Sequence, residues 1–103
     1  SAINLDPNYV QALYNRALAR AQKGDIQGAI DDNTKVIQLQ PNSAEAYFNR
    51  GAAYWKKENY DATIADFEKA SSLNPDYKSQ ADPVIQQAKE FKAEKKAQKT
   101  GGG

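Results

Sequence analysis

Residues 44–77 read AEAYFNRGAAYWKKENYDATIADFEKASSLNPDY, and residues 10–43 read VQALYNRALARAQKGDIQGAIDDNTKVIQLQPNS. The two stretches align without a gap. Pro7, Pro41 and Pro75 mark the same register, each 34 residues from the next. Identical pairs run the length of the alignment: Ala12/Ala46, Asn15/Asn49, Arg16/Arg50, Ala19/Ala53, Ile30/Ile64, Asp32/Asp66 and Leu39/Leu73. A register held over two whole units is a true repeat, and self-similarity at a period of roughly 20–50 residues is the signature of stacked repeat architectures.

Each unit carries two helical patterns. In the second, Ala46, Tyr47, Ala53 and Tyr54 recur at helical spacing, a break falls at Glu58-Asn59, and Ala62, Ile64, Phe67, Ala70 and Leu73 resume the period. Gly24-Asp25 makes the matching break in the first unit, where glycine tolerates the left-handed turn of a helix end. Asn42, with Glu45 three residues later, is expected to form a capping box that opens a helix. Pro41 and Pro75 each stop the helix before them, because proline disfavours helical backbone in the preceding residue. The spacing predicts an all-α chain whose unit is helix, tight turn, helix, short loop.

A 34-residue helix-turn-helix unit resembles the tetratricopeptide repeat. Tyr47, Gly51, Tyr54, Phe67, Ala70 and Pro75 stand where that family has its aromatic, small and proline positions, and Thr63 replaces a small alanine. The first unit departs further: Leu13, Ala17, Ala29, Val36 and Pro41 fit, while Arg20 and Asn33 replace an aromatic pair. The resemblance implies a right-handed superhelical stack of antiparallel helix pairs, a solenoid whose concave face is lined by the first helix of each pair. Residues 8–43 and 44–77 are then the two repeats. Ala2-Ile3-Asn4-Leu5-Asp6-Pro7 aligns with Val36-Ile37-Gln38-Leu39-Gln40-Pro41, so residues 1–7 are expected to be the remnant of a preceding repeat's second helix in a longer array.

After Tyr77, one narrow apolar stripe is formed by Ala81, Val84, Ile85, Ala88 and Phe91, and beyond it the chain turns to lysines and glutamates. Residues 78–99 are expected to be a capping helix that closes the stack with an otherwise polar surface. Asp82-Pro83 suits the start of that helix, since aspartate caps and proline is tolerated in a first turn. Residues 100–103 are expected to be a flexible glycine tail.

Composition narrows the function. With 103 residues the chain supports one small core. Lys and Arg number 14 against 13 Asp and Glu, a net charge of +1, so no field draws it to nucleic acid or to an acidic membrane surface. No apolar run approaches the length that spans a bilayer. Cysteine and histidine are absent, which removes the usual zinc sites, thiol nucleophiles and imidazole acid–base chemistry. No nucleophile–base pair or phosphate-cradling glycine loop is visible. No enzymatic activity and no cofactor are expected, and the compartment is left open, with the cytoplasm favoured.

The resemblance implies binding of another protein. The groove-facing residues implied by the resemblance are Gln11, Tyr14, Asn15, Leu18 and Gln22 in the first unit, and Glu45, Phe48, Asn49, Ala52 and Lys56 in the second, with Trp55 beside them. Asn15 and Asn49 sit one repeat apart, and each amide offers both a donor and an acceptor to an extended peptide backbone. In the family, asparagines at this place contact ligand backbone. Family members that grip a terminal carboxylate add cations from neighbouring first helices, whereas Tyr14 and Leu18 occupy those places here. Trp55 is either a groove anchor or a packing residue. Arg16/Asp32 and Arg50/Asp66 share a separation of 16 residues and are expected to bridge the two helices of each unit. Arg20 and Asn33, at matching core-facing places, are expected either to bond each other or to face an unusual neighbour. The expected function is a protein–protein interaction module that holds a peptide or protein segment in the concave groove; the alternative is a structural module that self-associates into a homo-oligomer.

Overall fold

Gly24 and Glu58 hold φ values of 90° and 62°, in the left-handed region, and at each the chain reverses direction. The computed structural model describes residues 7–101. Its helices are α1 (Pro7–Gln22), α2 (Ile26–Leu39), α3 (Ala44–Lys56), α4 (Tyr60–Leu73) and α5 (Lys78–Gly101), with a 3-10 turn at Pro75–Tyr77 before the last. The fold is all-α, and no strand occurs among the described residues. Of the stretch expected to be the remnant of an earlier repeat, only Pro7 lies within them, and it opens α1.

Short polar side chains start the helices by taking orphan backbone N–H groups. Gly28 N–H donates to Asp25 Oδ1 at 2.9 Å, Ala46 N–H to Ser43 Oγ at 3.2 Å, and Ala62 N–H to Asn59 Oδ1 at 3.4 Å. The cap of α3 is therefore Ser43 and not the expected Asn42: α3 begins at Ala44, and Ser43 holds the extended backbone (φ −79°, ψ 97°) that a cap requires.

Helices pack in order along the chain, α1 on α2, α2 on α3, α3 on α4 and α4 on α5, giving a body of 55 × 29 × 25 Å. Three apolar clusters fill the joints. Val10, Leu13, Tyr14, Val36 and Ala46 form the first, Ala17, Ala29, Ile30 and Ala53 the second, and Phe67, Ala81 and Ile85 the third, with Phe48, Ala52, Ile64 and Val84 packed against it. Gly51 is required where it stands, because a Cβ there would collide with the Phe67 ring.

The two expected ion pairs form, both bidentate. Arg16 donates from Nε and Nη2 to Asp32 at 3.0 and 2.7 Å, and Arg50 donates likewise to Asp66 at 2.8 and 2.9 Å. Both aspartates are buried. Arg50 also donates from Nη1 to Thr34 Oγ1 at 3.2 Å, tying α3 to the pair before it. Its guanidinium lies over the rings of Tyr47 (5.5 Å) and Tyr54 (5.9 Å), so these two tyrosines are half-buried flanks of the ion pair. Arg20 does not meet Asn33. It turns to Asp32 Oδ1 at 3.4 Å and lies 3.9 Å from Asp25, where two carboxylates outbid a neutral amide.

α5 starts at Lys78, immediately after the 3-10 turn, and not at Asp82-Pro83. Pro83 thus lies inside the helix, where it has no N–H to donate to the backbone ladder. Asp82 pairs instead with Lys78 at 3.4 Å. The helix runs through Gly101, two residues into the expected tail.

Candidate functional site

On a helix of 3.6 residues per turn, positions 11, 15, 18 and 22 form one strip, and 45, 49, 52 and 56 form its counterpart. These strips belong to α1 and α3, the first helices of the two pairs. Between them lies a pocket of about 130 Å³. Ala17, Leu18 and Ala21 of α1 form one wall, Asn49, Ala52, Ala53 and Lys56 of α3 the other, and Ala29 and Asn33 of α2 close it. Alanines dominate the lining, so the pocket is apolar with polar groups from Asn33, Asn49 and Lys56.

Of the expected site residues, the pocket brings together Leu18, Asn49, Ala52 and Lys56. Leu18 is 52% exposed, the most exposed large apolar side chain among the described residues. Gln11 and Asn15 lie exposed further along α1, and Gln11 Nε2 donates to Asn15 Oδ1 at 3.3 Å. Gln22 and Glu45 are exposed near opposite ends of the two strips.

Three aromatic residues fall elsewhere. Tyr14 is buried, and its hydroxyl meets Ser43 Oγ; burial pushes its pKa above the ordinary 10.0, against the lowering effect of that hydrogen bond. Phe48 lies stacked between Phe67 (4.9 Å) and Tyr77 (4.8 Å) in the third cluster. Trp55 packs against Tyr60 and Phe91, at 5.7 Å from each. One cause is shared: Tyr14, Phe48 and Trp55 each sit one position off the strip, toward the neighbouring helix of the stack, which for Trp55 is the packing alternative.

Asn33 is the polar pocket residue that sequence reasoning did not assign to a site, beside Ala17, Ala21, Ala29 and Ala53. Its signal was present in the repeat alignment, where it stands opposite Phe67. Among the described residues no cluster of three or more carboxylates suits a metal ion, and no helix is long and apolar enough to cross a membrane.

A family model described as a tetratricopeptide repeat matches residues 44–77, and one described as a TPR repeat matches residues 18–58. Together they run from residue 18 to residue 77, more than half of the chain. The chain belongs to the tetratricopeptide-repeat family. Its antiparallel pairs, α1–α2 and α3–α4, are the two-helix units of that family, and tetratricopeptide repeats are in general non-catalytic modules that bind protein partners. No curated protein matches the chain.

Proposed function

We propose that the strips on α1 and α3 hold an extended segment of a partner protein, so that the chain serves as a binding scaffold and performs no catalysis. Residues 8–43 and 44–77 are the two binding repeats in this reading, and residues 78–99 form the closing helix. The observation that carries it is the pocket where the two strips converge, with exposed Leu18 beside it. Asn15 and Asn49 supply amides for the main chain of the guest, while Leu18 and Ala52 supply apolar contact and Lys56 a cation. Main-chain bonding of this kind gives affinity, and pockets beside it give specificity.

The test begins with selection of a binding peptide from a random library. Calorimetry then compares the parent protein with Asn15→Ala/Asn49→Ala. The double variant is expected to bind about tenfold more weakly, from two net hydrogen bonds of ~0.5–1.5 kcal/mol each, while helicity and melting temperature hold. Unchanged affinity removes the main-chain grip.

A second reading is self-association. Tyr9 is 48% exposed beside a shallow depression lined with Ala12, Leu13 and Arg16 on α1. Sedimentation equilibrium decides it: a monomer at high concentration removes this reading, and a dimer dispersed by Tyr9→Ser supports it.

A further inference from the structure

The two units differ at one place that creates the pocket. In the second unit the Phe67 ring is buried against Gly51. In the first, Ala17 and Asn33 occupy these places. A carboxamide is shorter than a benzyl group, and the pocket lies beside it, with Asn33 and Ala17 both in its lining. Asn33 is 2% exposed. Its Nδ2 donates to the Ala29 carbonyl at 3.0 Å, which tells the amide nitrogen from its oxygen, since a flip would set two oxygens face to face. Its Oδ1 is buried without a hydrogen-bond partner among the described residues. Buried acceptors are rarely left so, because the missing bond costs stability that a suitable donor restores.

We propose that this pocket is a subsite for a tyrosine side chain of the partner segment, with the ring laid against the wall of Ala17, Ala29 and Ala53 and the hydroxyl donating to Asn33 Oδ1 after a small turn of the carboxamide. The inference rests on the peptide-binding reading above and names the side chain that the groove selects. Size argues for a single ring: an apolar cavity of ~150 Å³ takes one benzene, and this pocket measures about 130 Å³. Chemistry argues for a phenol. Phenylalanine leaves Oδ1 unpaired, serine leaves the alanine walls uncovered, and a charged side chain must shed its hydration against methyl groups. Tyrosine meets both demands, and exposed Leu18 covers the outer edge of the ring.

The probes are p-cresol and toluene, the side-chain analogues of tyrosine and phenylalanine, followed by NMR of the Ala17, Ala29 and Ala53 methyl groups. The expected result is that p-cresol shifts these methyls and binds about fivefold more tightly than toluene, the worth of one net hydrogen bond. Asn33→Leu should abolish that preference. Ala17→Gly/Asn33→Phe copies the packing of the second unit, fills the pocket, and should abolish binding of both probes. Equal binding of the two probes by the parent protein, shifts that persist in the filled variant, or no shift at all would each overturn the proposal. If the filled variant does not fold, the Asn33→Leu comparison still decides. Neither probe has a peptide backbone, so their failure removes the tyrosine subsite and leaves the main-chain grip to its own test. A p-cresol site in a protein that captures no library peptide would keep the phenol pocket and remove the grip.

Discussion

A buried carboxylate needs donors on both oxygens, and Asp66 obtains them from a single guanidinium at 2.8 and 2.9 Å. Removing the carboxylate strands Arg50, whose side chain is only 19% exposed. Asp66→Ala is therefore expected to cost about 2–3 kcal/mol in urea unfolding, in the range of hydrogen bonds to charged groups. Arg16→Ala should cost clearly less, because Arg16 is largely exposed and Arg20 also reaches Asp32. Tyr14 makes a pH prediction. Its folded pKa is raised above 10.0 by burial, so the fold favours the neutral phenol. That contribution is whole below the unfolded pKa and is lost as pH rises through the folded one. The melting temperature should fall above about pH 10, and Tyr14→Phe should make the fall shallower. It should not abolish it, because burial also raises the pKa values of Tyr60 and Tyr77.

At the scale of the element, the two intra-pair turns offer a matched contrast. Gly24 and Glu58 adopt the same left-handed backbone, which disfavours any residue with a Cβ by ~1–2 kcal/mol. Nothing crowds a Cβ at Gly24, so Gly24→Ala should lose about 1 kcal/mol through the backbone alone. Glu58→Gly should gain about 0.5–1 kcal/mol, since the exposed Lys95 contact it forfeits is worth little. Thermal melts of both variants check the pair. Such turns, with the prolines and the 34-residue register, made the helices legible in the sequence. Helix starts were less so. Asn42 and Ser43 are adjacent residues of equal capping ability, and the local cue, Glu45 three residues after Asn42, pointed to the residue that does not cap. At α5, the expected span from residue 78 matches the helix, while the Asp82-Pro83 start signal falls inside it. The candidate site was half legible for a similar reason. Periodicity assigns residues to a strip, but whether Tyr14 or Phe48 at its edge is covered depends on Ser43, Phe67 and Tyr77 from other elements. The resemblance carried Asn15 and Asn49; the pocket at Asn33 needed the three-dimensional joint.

Across the whole molecule each helix contacts chiefly its neighbours in sequence, so stability is close to a sum over joints. Beyond the buried Phe67, Ala81 and Ile85, the outer end of the last joint is held by the Trp55, Tyr60 and Phe91 rings, with Lys92 on Asp61 and Lys95 near Glu58. Phe91→Ala should cost about 1–2 kcal/mol, less than a fully buried ring because Phe91 is 40% exposed. Amide exchange should quicken in the later turns of α5 and leave α1 and α2 unchanged. The joint between the two pairs is held differently, by Arg50 reaching back to Thr34 while gripping Asp66. One guanidinium thus bridges three helices, α2, α3 and α4. In the binding mode proposed above, a guest meets walls already in place, so association should freeze the visitor far more than the host, and the rate of escape should report the fit of the guest, not the breathing of the scaffold.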